Sequence, residues 1–325
     1  MKNVRIIRLA ATAAVLLAAL SLAGCGALRG GRKPAVTEPA EQISASPAAE
    51  DADIEEHPSA QTFREATLYY VSDEGYVVPV KKLIPWEEGI AKACLGYITS
   101  SSVNDAEAAK LGLRAALPAG TEIGLSISDG EASLDLVNLS PLPDSEAESA
   151  MLTAVVDTLT EFSTVETVTV TRDGRGGSLE NGTQLPVGAR RIPLNAEQTE
   201  LAVSSGATAG TLWFPNLSGA VTVPVTRYFG SQPSLYTRAS ALIEGPKAND
   251  LMCCFPKGTL LLGATLENGV VTVNLSEDFK AVADTFGLYS LARRTLELTL
   301  GEDFDFERLV IQVNGSVYAP EEAEP

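Results

Sequence analysis

The stretch Leu117-Pro118-Ala119-Gly120-Thr121 returns 138 residues later as Phe255-Pro256-Lys257-Gly258-Thr259. Further upstream, Val78-Pro79-Val80 returns at an offset of 145 as Val223-Pro224-Val225. Motifs that recur in the same order at nearly the same spacing indicate an internal duplication. The sequence therefore predicts one structural unit that occurs twice in the chain.

Each copy shows the same order of expected elements. An aromatic strand and a Val-rich strand form a hairpin, and a helix with periodic apolar residues follows. Two further strands then meet at Asp129-Gly130 or, 139 residues later, at Asn268-Gly269, which are strong hairpin turns. A second helix and a last strand close each unit. The order β-β-α-β-β-α-β predicts an α+β fold of two tandem copies, each a sheet with helices on one face.

The apolar spacing also sets the expected bounds of the helices and of the last strands. The expected helices are Trp86–Thr99, Glu146–Phe162, Leu235–Glu244 and Phe279–Leu300, and the expected last strands are Thr167–Arg172 and Leu309–Val313. Within the second helices, Leu159-Thr160 aligns with Leu298-Thr299 at an offset of 139. The first copy carries an insertion around Ser100–Ala109.

The N-terminus is typical of an export signal. Lys2, Arg5 and Arg8 precede an apolar stretch, Leu9–Leu20, which is too short to span a bilayer as a helix. Leu22-Ala23-Gly24-Cys25 then resembles the lipobox of bacterial lipoproteins, in which the cysteine is diacylated and becomes the mature N-terminus. We therefore expect lipidation at Cys25 and an anchor on the extracytoplasmic face of the cell membrane. An ordinary signal peptide or an uncleaved anchor with a chance cysteine is the alternative.

These features give the expected domain organisation. In chain order the segments are a lipoprotein signal peptide (1–24), a disordered acidic tether (25–62), copy one (63–175), a connector (176–209), copy two (210–317) and a disordered tail (318–325). The tether is rich in Ala, Pro, Glu and Ser and lacks periodic apolar residues. The connector holds a central patch, Gln184–Leu194, that can pack on either copy.

Several of these motifs resemble a known family. The Leu-Pro-x-Gly-Thr step, the Asp-Gly hairpin, the helix end Thr158-Leu159-Thr160-Glu161-Phe162 and a last strand that ends in Gly resemble the GerMN domain. Two such domains behind a lipobox resemble the GerM family of tandem-domain lipoproteins. The resemblance implies a membrane-tethered, non-enzymatic role in sporulation or spore germination. The GerMN domain is also similar to ring-building motifs, which implies protein–protein contact.

The charge and the composition exclude several function classes. The net charge is −18, and removal of the first 24 residues takes away three bases and no acid, which leaves −21. Because such an acidic surface repels phosphate, nucleic acid is not an expected partner. The single histidine, His57, lies in the tether, and the folded region has no phosphate-binding loop and no His-based metal motif. We expect no catalytic residue, no cofactor and no metal site.

Two local patterns could be taken for ligand-binding motifs, but a structural role explains each of them better. Asp303-Phe304-Asp305-Phe306-Glu307 places three carboxylates at a spacing of two, but calcium needs more oxygen ligands and a turn glycine, so a helix-to-strand connection is expected. Gly174-Arg175-Gly176-Gly177 follows a last strand and is expected to be a loop. Cys94, Cys253 and Cys254 are expected to be buried thiols, and a bridge from Cys94 to the adjacent pair is the alternative.

Three function classes follow. The leading hypothesis is a scaffold that binds envelope or sporulation proteins, with self-assembly left open. The alternative is a solute- or cell-wall-binding lipoprotein with a cleft between the copies, lined by Trp86, Trp213, Phe214 and Tyr228. An exported enzyme that uses carboxylates is disfavoured, because the sequence shows no His, Cys or metal-binding constellation. Pro79 and Pro224 predict exposed edge strands, which either receive a partner strand or guard against aggregation.

Overall fold

The computed structural model describes residues 63–86, 88–197 and 206–320. The predicted signal peptide, Cys25 and the tether lie outside the described residues. Within these ranges, no helix combines the length and the apolarity that a bilayer-spanning segment needs.

Copy one follows the predicted order, with one added helix and one short added strand. Its elements are β1 (Phe63–Ser72), β2 (Val77–Pro85), α1 (Ile90–Tyr97), α2 (Ser102–Ala109), β3 (Leu113–Arg114), β4 (Glu122–Ser128), β5 (Glu131–Val137), α3 (Ser145–Thr160) and β6 (Thr167–Arg172). The inserted residues of copy one form α2, whose first turn is capped by the Ser101 hydroxyl. Helix α1 is shorter than predicted, because it begins only after Gly89, which has φ 78°.

Copy two also follows the predicted order, without counterparts of α2 and β3 and with an added 3₁₀ helix and a short last strand. Its elements are β7 (Thr208–Pro215), β8 (Thr222–Phe229), α4 (Leu235–Glu244), β9 (Leu261–Glu267), β10 (Val270–Leu275), a 3₁₀ helix (Glu277–Asp284), α5 (Leu288–Gly301), β11 (Arg308–Val313) and β12 (Ser316–Val317). The single helix predicted over Phe279–Leu300 is therefore wrong. The segment divides at Gly287, whose φ of 71° is incompatible with a continuous helix.

The α+β class and the two tandem copies are confirmed, but the strands of each copy form two small sheets. The strand orders are β2-β1-β3 and β4-β5-β6 in copy one, and β7-β8 and β12-β11-β10-β9 in copy two. The last long strand of each copy pairs in parallel with the second hairpin. In each first hairpin, a backbone N–H bonds to the second helix: Tyr69 donates to the Thr158 hydroxyl and Trp213 donates to the Thr299 hydroxyl.

The connector packs mainly on copy one. Ala189 exchanges two backbone hydrogen bonds with Val168 of β6, so this part of the connector runs beside the last strand. Leu179 and Leu185 are buried in the same core. The acid Glu148 of α3 is 1% exposed and accepts hydrogen bonds from the connector. The connector up to residue 197 is therefore packed against the folded copies and forms part of the fold.

Candidate functional site: the cleft between the copies

Direct bonds and one connector side chain form the junction of the two copies. Directly, the Tyr76 hydroxyl donates to Asp250 Oδ1 at 2.6 Å, and Asn216 Nδ2 donates to Glu74 Oε1 at 3.0 Å. The amide of Asn195 accepts a hydrogen bond from Val77 N (2.9 Å) and donates to Val77 O (2.8 Å) and to Pro224 O (2.7 Å). Val77 belongs to β2 and Pro224 to β8, so this single amide joins an edge strand of each copy. Asn195 itself has φ 48°, a left-handed conformation that Asn tolerates better than most residues.

The connector also covers the outer edge of β8. Thr226 N donates to Leu194 O and Glu197 N donates to Thr226 O, both at 2.9 Å. Next to this pair, the buried guanidinium of Arg227 donates to both carboxylate oxygens of Glu197, at 2.6 and 2.8 Å. Two further N–H groups of Arg227 donate to the carbonyls of Ala241 in α4 and of Gly245 at its C-terminal cap. A buried pair with so many hydrogen bonds holds the connector firmly on copy two.

The prediction that Pro79 and Pro224 mark exposed edges is right about the edge strands and wrong about the exposure of the prolines. Both residues lie on edge strands, but Pro224 is buried and Pro79 is half-buried. The edges of β2 and β8 come together at Asn195, and neither proline has an N–H to offer to the other strand. The two first hairpins therefore meet without merging into one sheet, and a cleft opens beside their contact.

This cleft has a volume of about 1070 Å³ and is lined by both copies and the connector. Its apolar lining includes Pro79, Leu111, Leu113, Val221, Pro224 and Leu291. Two polar clusters, one from each copy, stand among these apolar groups. The expected cleft between the repeats is thus present in the structure.

The polar cluster of copy one centres on Arg191 of the connector. Its guanidinium donates to the Tyr69 hydroxyl and lies 2.6 Å from Glu161 Oε1, which also accepts from that hydroxyl at 2.6 Å. Behind them, Asp157 is fully buried; its Oδ1 accepts from Ile192 N, while its Oδ2 has no hydrogen bond and lies 3.9 Å from Arg191 Nε. Burial raises the pKa of Asp157 to about 6 and also raises the pKa of Tyr69.

The polar cluster of copy two has corresponding members. Trp213 takes the place of Tyr69, and its indole N–H donates to Glu302 Oε1 at 2.9 Å. Arg238, which is 2% exposed, donates to Thr211 O and to Asp303. Gly210 makes room for it, because a Cβ there would lie 2.8 Å from the Arg238 guanidinium carbon.

The correspondence corrects the sequence alignment of the second helices. Thr158 and Glu161 in copy one match Thr299 and Glu302 in copy two, at an offset of 141. The predicted offset of 139 for this helix is therefore two residues short. The repeated Thr-x-x-Glu spacing at the end of each second helix was the sequence signal for this site, and it was missed.

Of the four aromatic residues expected in the cleft, only Trp213 lines it. Trp86 is 53% exposed near the end of β2, where Arg64 stacks on its ring. Phe214 is buried in the core, and Tyr228 is half-buried outside the cleft lining. The aromatic residues that line the cleft are therefore Tyr69 and Trp213, one from each copy, and Tyr69 was not among those expected.

The cysteines and the acidic run Asp303–Glu307, which could suggest reactive or metal-binding sites, have structural roles. Cys94, Cys253 and Cys254 are free thiols, and burial raises the pKa of Cys94 to about 11 and that of Cys254 to about 12. In the described ranges, no group of His, Cys, Asp and Glu side chains is arranged to hold a metal ion. Asp303 binds Arg238, while Phe304 and Phe306 pack against the core, as expected for a connection.

The fold and the cleft define a tandem α+β protein in which one unit is duplicated and joined by a structured connector. Residues 67–177 and 211–319 match the model of the Germane family, described as sporulation and spore germination. Because these matches cover well over half of the chain, the chain belongs to this family.

Two comparisons support this membership. The chain is 27% identical to "Spore germination protein GerM" of Bacillus subtilis (strain 168) over 335 residues, which covers 93% of this chain and 90% of that protein. It is also similar to the solved structure "Tandem GerMN domains of the sporulation protein GerM from Bacillus subtilis". That match has 25% identity and a TM-score of 0.58, and it covers 78% of this chain and 92% of that one.

Proposed function

We propose that this protein is a lipid-anchored scaffold that acts through protein–protein contacts in sporulation or spore germination. Family membership supports the process, and Leu22-Ala23-Gly24-Cys25 supports the anchor. The cleft carboxylates are held by groups of the same chain, which favours a binding role over turnover: Glu161 by Arg191, Glu302 by Trp213 and Asp303 by Arg238. The protein stands on the extracytoplasmic face of the cell membrane.

One observation carries the scaffold role. The connector binds copy one through Glu148 and copy two through Arg227, and its Asn195 joins the two. Two copies held in a fixed arrangement present two related surfaces at a constant spacing, which is what a scaffold requires. At a net charge of −21, like molecules repel each other at neutral pH, so partners with basic surfaces are favoured over unaided self-assembly.

Co-purification tests this role. The full-length protein is isolated from the envelope of sporulating cells and its companions are identified by mass spectrometry. We expect a defined set of envelope proteins that is lost with Asn195→Ala, which loosens the junction. The matched control is Asn314→Ala, which removes an exposed surface bond to Glu277. The proposal fails if no envelope protein co-purifies.

The anchor is tested separately. Metabolic labelling with a fatty-acid analogue should mark the wild-type protein, and Cys25→Ala should abolish both the label and the removal of the signal. Cys94→Ala, a buried thiol of copy one, should leave the label unchanged. Continued labelling of the Cys25→Ala variant contradicts the anchor.

A solute- or wall-binding role is the second candidate, and the cleft of about 1070 Å³ is the observation that favours it. One titration of the purified protein with cell-wall fragments distinguishes the scaffold role from the solute- or wall-binding role. Tight binding of a wall sugar without any protein companion would favour the second role.

A further inference from the structure

The cleft differs in charge from the rest of the chain. Its charged lining consists of four bases and three acids, namely Lys81, Arg191, Arg238, Arg294, Glu161, Glu302 and Asp303. In a chain with a net charge of −18, this lining has a small positive excess. Because exposed charges are screened within about 8 Å at physiological salt, the local charges decide what enters the cleft.

The groups that remain free in the cleft are cationic. Each of the three lining acids is engaged: Glu161 by Arg191, Glu302 by Trp213 and Asp303 by Arg238. The side chain of Arg294, in contrast, is exposed and makes no hydrogen bond or ion pair within the described part of the chain. Lys81 has only a surface pair with Glu65, in which both side chains are more than half exposed.

The edge of β2 adds backbone partners to this cationic site. Asn195 binds both N–H and C=O of Val77, so these groups point away from β1. In an antiparallel pair the outward-facing residues alternate, so Pro79 and Lys81 also direct their backbone groups outward. Both residues line the cleft, and β2 is an edge strand. An extended chain entering the cleft finds the C=O of Pro79 and both backbone groups of Lys81.

We propose that the cleft binds an acidic, extended segment of a partner polypeptide, with a carboxylate on Arg294 and backbone hydrogen bonds to the edge of β2. A volume of about 1070 Å³ suits a few residues of extended chain, and the apolar lining around Leu113 and Val221 accepts the side chains that alternate with the acids. This inference rests on the proposed function and gives the chemistry of one partner contact. The preference for acid is local to the cleft, and outside it the net negative charge still favours a basic surface on the same partner.

The two tryptophans of the chain supply a direct assay. Trp213 lines the cleft, whereas Trp86 lies outside it and is exposed. In a Trp86→Phe background, the fluorescence therefore reports on the cleft alone. The probe is a blocked five-residue peptide of alternating threonine and glutamate. We expect saturable binding with a Kd of roughly 0.1–1 mM at low salt, as for a short peptide that loses much ordering entropy.

Matched variants test the site. Arg294→Ala should weaken binding about fivefold or more, and raising the salt to about 0.5 M should have a similar effect. Arg308→Ala removes another exposed arginine of copy two, outside the cleft, and should leave the Kd unchanged. The glutamine version of the peptide should bind at least fivefold more weakly than the glutamate version.

Several results would overturn the inference. The first is that the peptide does not bind up to a few millimolar, in fluorescence and in calorimetry of the unmodified protein. The second is that the glutamine peptide binds as tightly as the glutamate peptide. The third is that Arg294→Ala and Arg308→Ala weaken binding of the glutamate peptide equally. If the peptide fails to bind while the lipid-anchored protein still retains its envelope companions, the cleft inference falls and the proposed function stands. If the companions are also lost, both fall.

Discussion

Asp157 lies in an environment that is unfavourable to its charge. It is fully buried, one of its carboxylate oxygens has no hydrogen bond, and the nearest cation, Arg191, is half exposed. Burial raises its pKa from 3.8 to about 6, so the folded protein binds a proton here more tightly than the unfolded chain does. The contribution of this group to stability is therefore greatest below pH 4 and is lost as the pH rises through 6.

This gives a first prediction. Asp157→Asn should remove a pH dependence of the unfolding free energy of about 2–3 kcal/mol between pH 4 and pH 7, because a shift of one pKa unit corresponds to about 1.4 kcal/mol. Urea unfolding at several pH values measures it. Glu166→Gln, an exposed acid of the same copy, serves as the control and should run parallel to the wild type. Identical pH profiles of Asp157→Asn and the wild type would contradict the assignment.

A second prediction concerns Asn195. Asn195→Ala loses three hydrogen bonds and places at φ 48° a residue that tolerates the left-handed conformation less well than Asn, so we expect a loss of about 2–4 kcal/mol in the free energy of unfolding. Asn195→Asp keeps the acceptor for Val77 N but places an anionic oxygen against the carbonyls of Val77 and Pro224, so it should lose at least as much at neutral pH. Thermal melts of the three proteins decide the order, and an Ala variant as stable as the wild type would refute the bridging role.

Among the elements, the connector is attached to α3 at Glu148. Burial opposes the ionisation of this acid, but hydrogen bonds from Asn181 and Thr183 outweigh the effect and lower its pKa. The third prediction is that Glu148→Ala releases this end of the connector at a cost of about 1–3 kcal/mol. Hydrogen exchange should show lost protection at the amides of Asn181 and Thr183, while β10 remains protected. Unchanged exchange at these two amides would count against the attachment.

The elements were predictable where local chemistry sets the chain direction. The turns Asp129-Gly130 and Asn268-Gly269 have positive φ at both residues, which Asp or Asn followed by Gly favours, so both second hairpins followed from the sequence. Helix α4 and strand β6 were confirmed with their predicted bounds. The division at Gly287 was missed because the apolar spacing continues across it, although the glycine was the available signal.

The cleft was predictable only as a position between the copies. Its construction depends on Asn195, whose partners Val77 and Pro224 lie 118 and 29 residues away in the chain. Periodicity and turn chemistry act over a few residues and do not reveal such a contact. The prolines were rightly placed on edge strands, but their sequence context does not show that the edges of β2 and β8 meet within one molecule.

For the whole molecule, the junction determines which fragments fold well. That copies one and two are separately folded domains stays a prediction, and the structure adds a condition to it. Residues 206–320 alone contain the buried Arg227 without Glu197, and a buried charge that loses its partner costs about 3–5 kcal/mol. We expect the fragment 194–320 to be more stable than 206–320 by roughly this amount in urea unfolding. Arg227→Met should narrow the difference, and equal stability of the two fragments would contradict the role of the pair.

The seam between the copies has a consequence for the evolution of this architecture. The two halves are alike, yet their contact combines direct bonds, such as that from Tyr76 to Asp250, with bonds from Asn195 and Glu197, which belong to neither half and occur once per chain. A further duplication of the unit alone would bring an incomplete junction, because the added unit would lack these connector side chains. Exchange of halves between two molecules is restricted in the same way, since each connector is already fastened to its own copy one through Glu148. The connector therefore favours an array of two units, and a longer array with the same complete junction would need a second connector of the same kind.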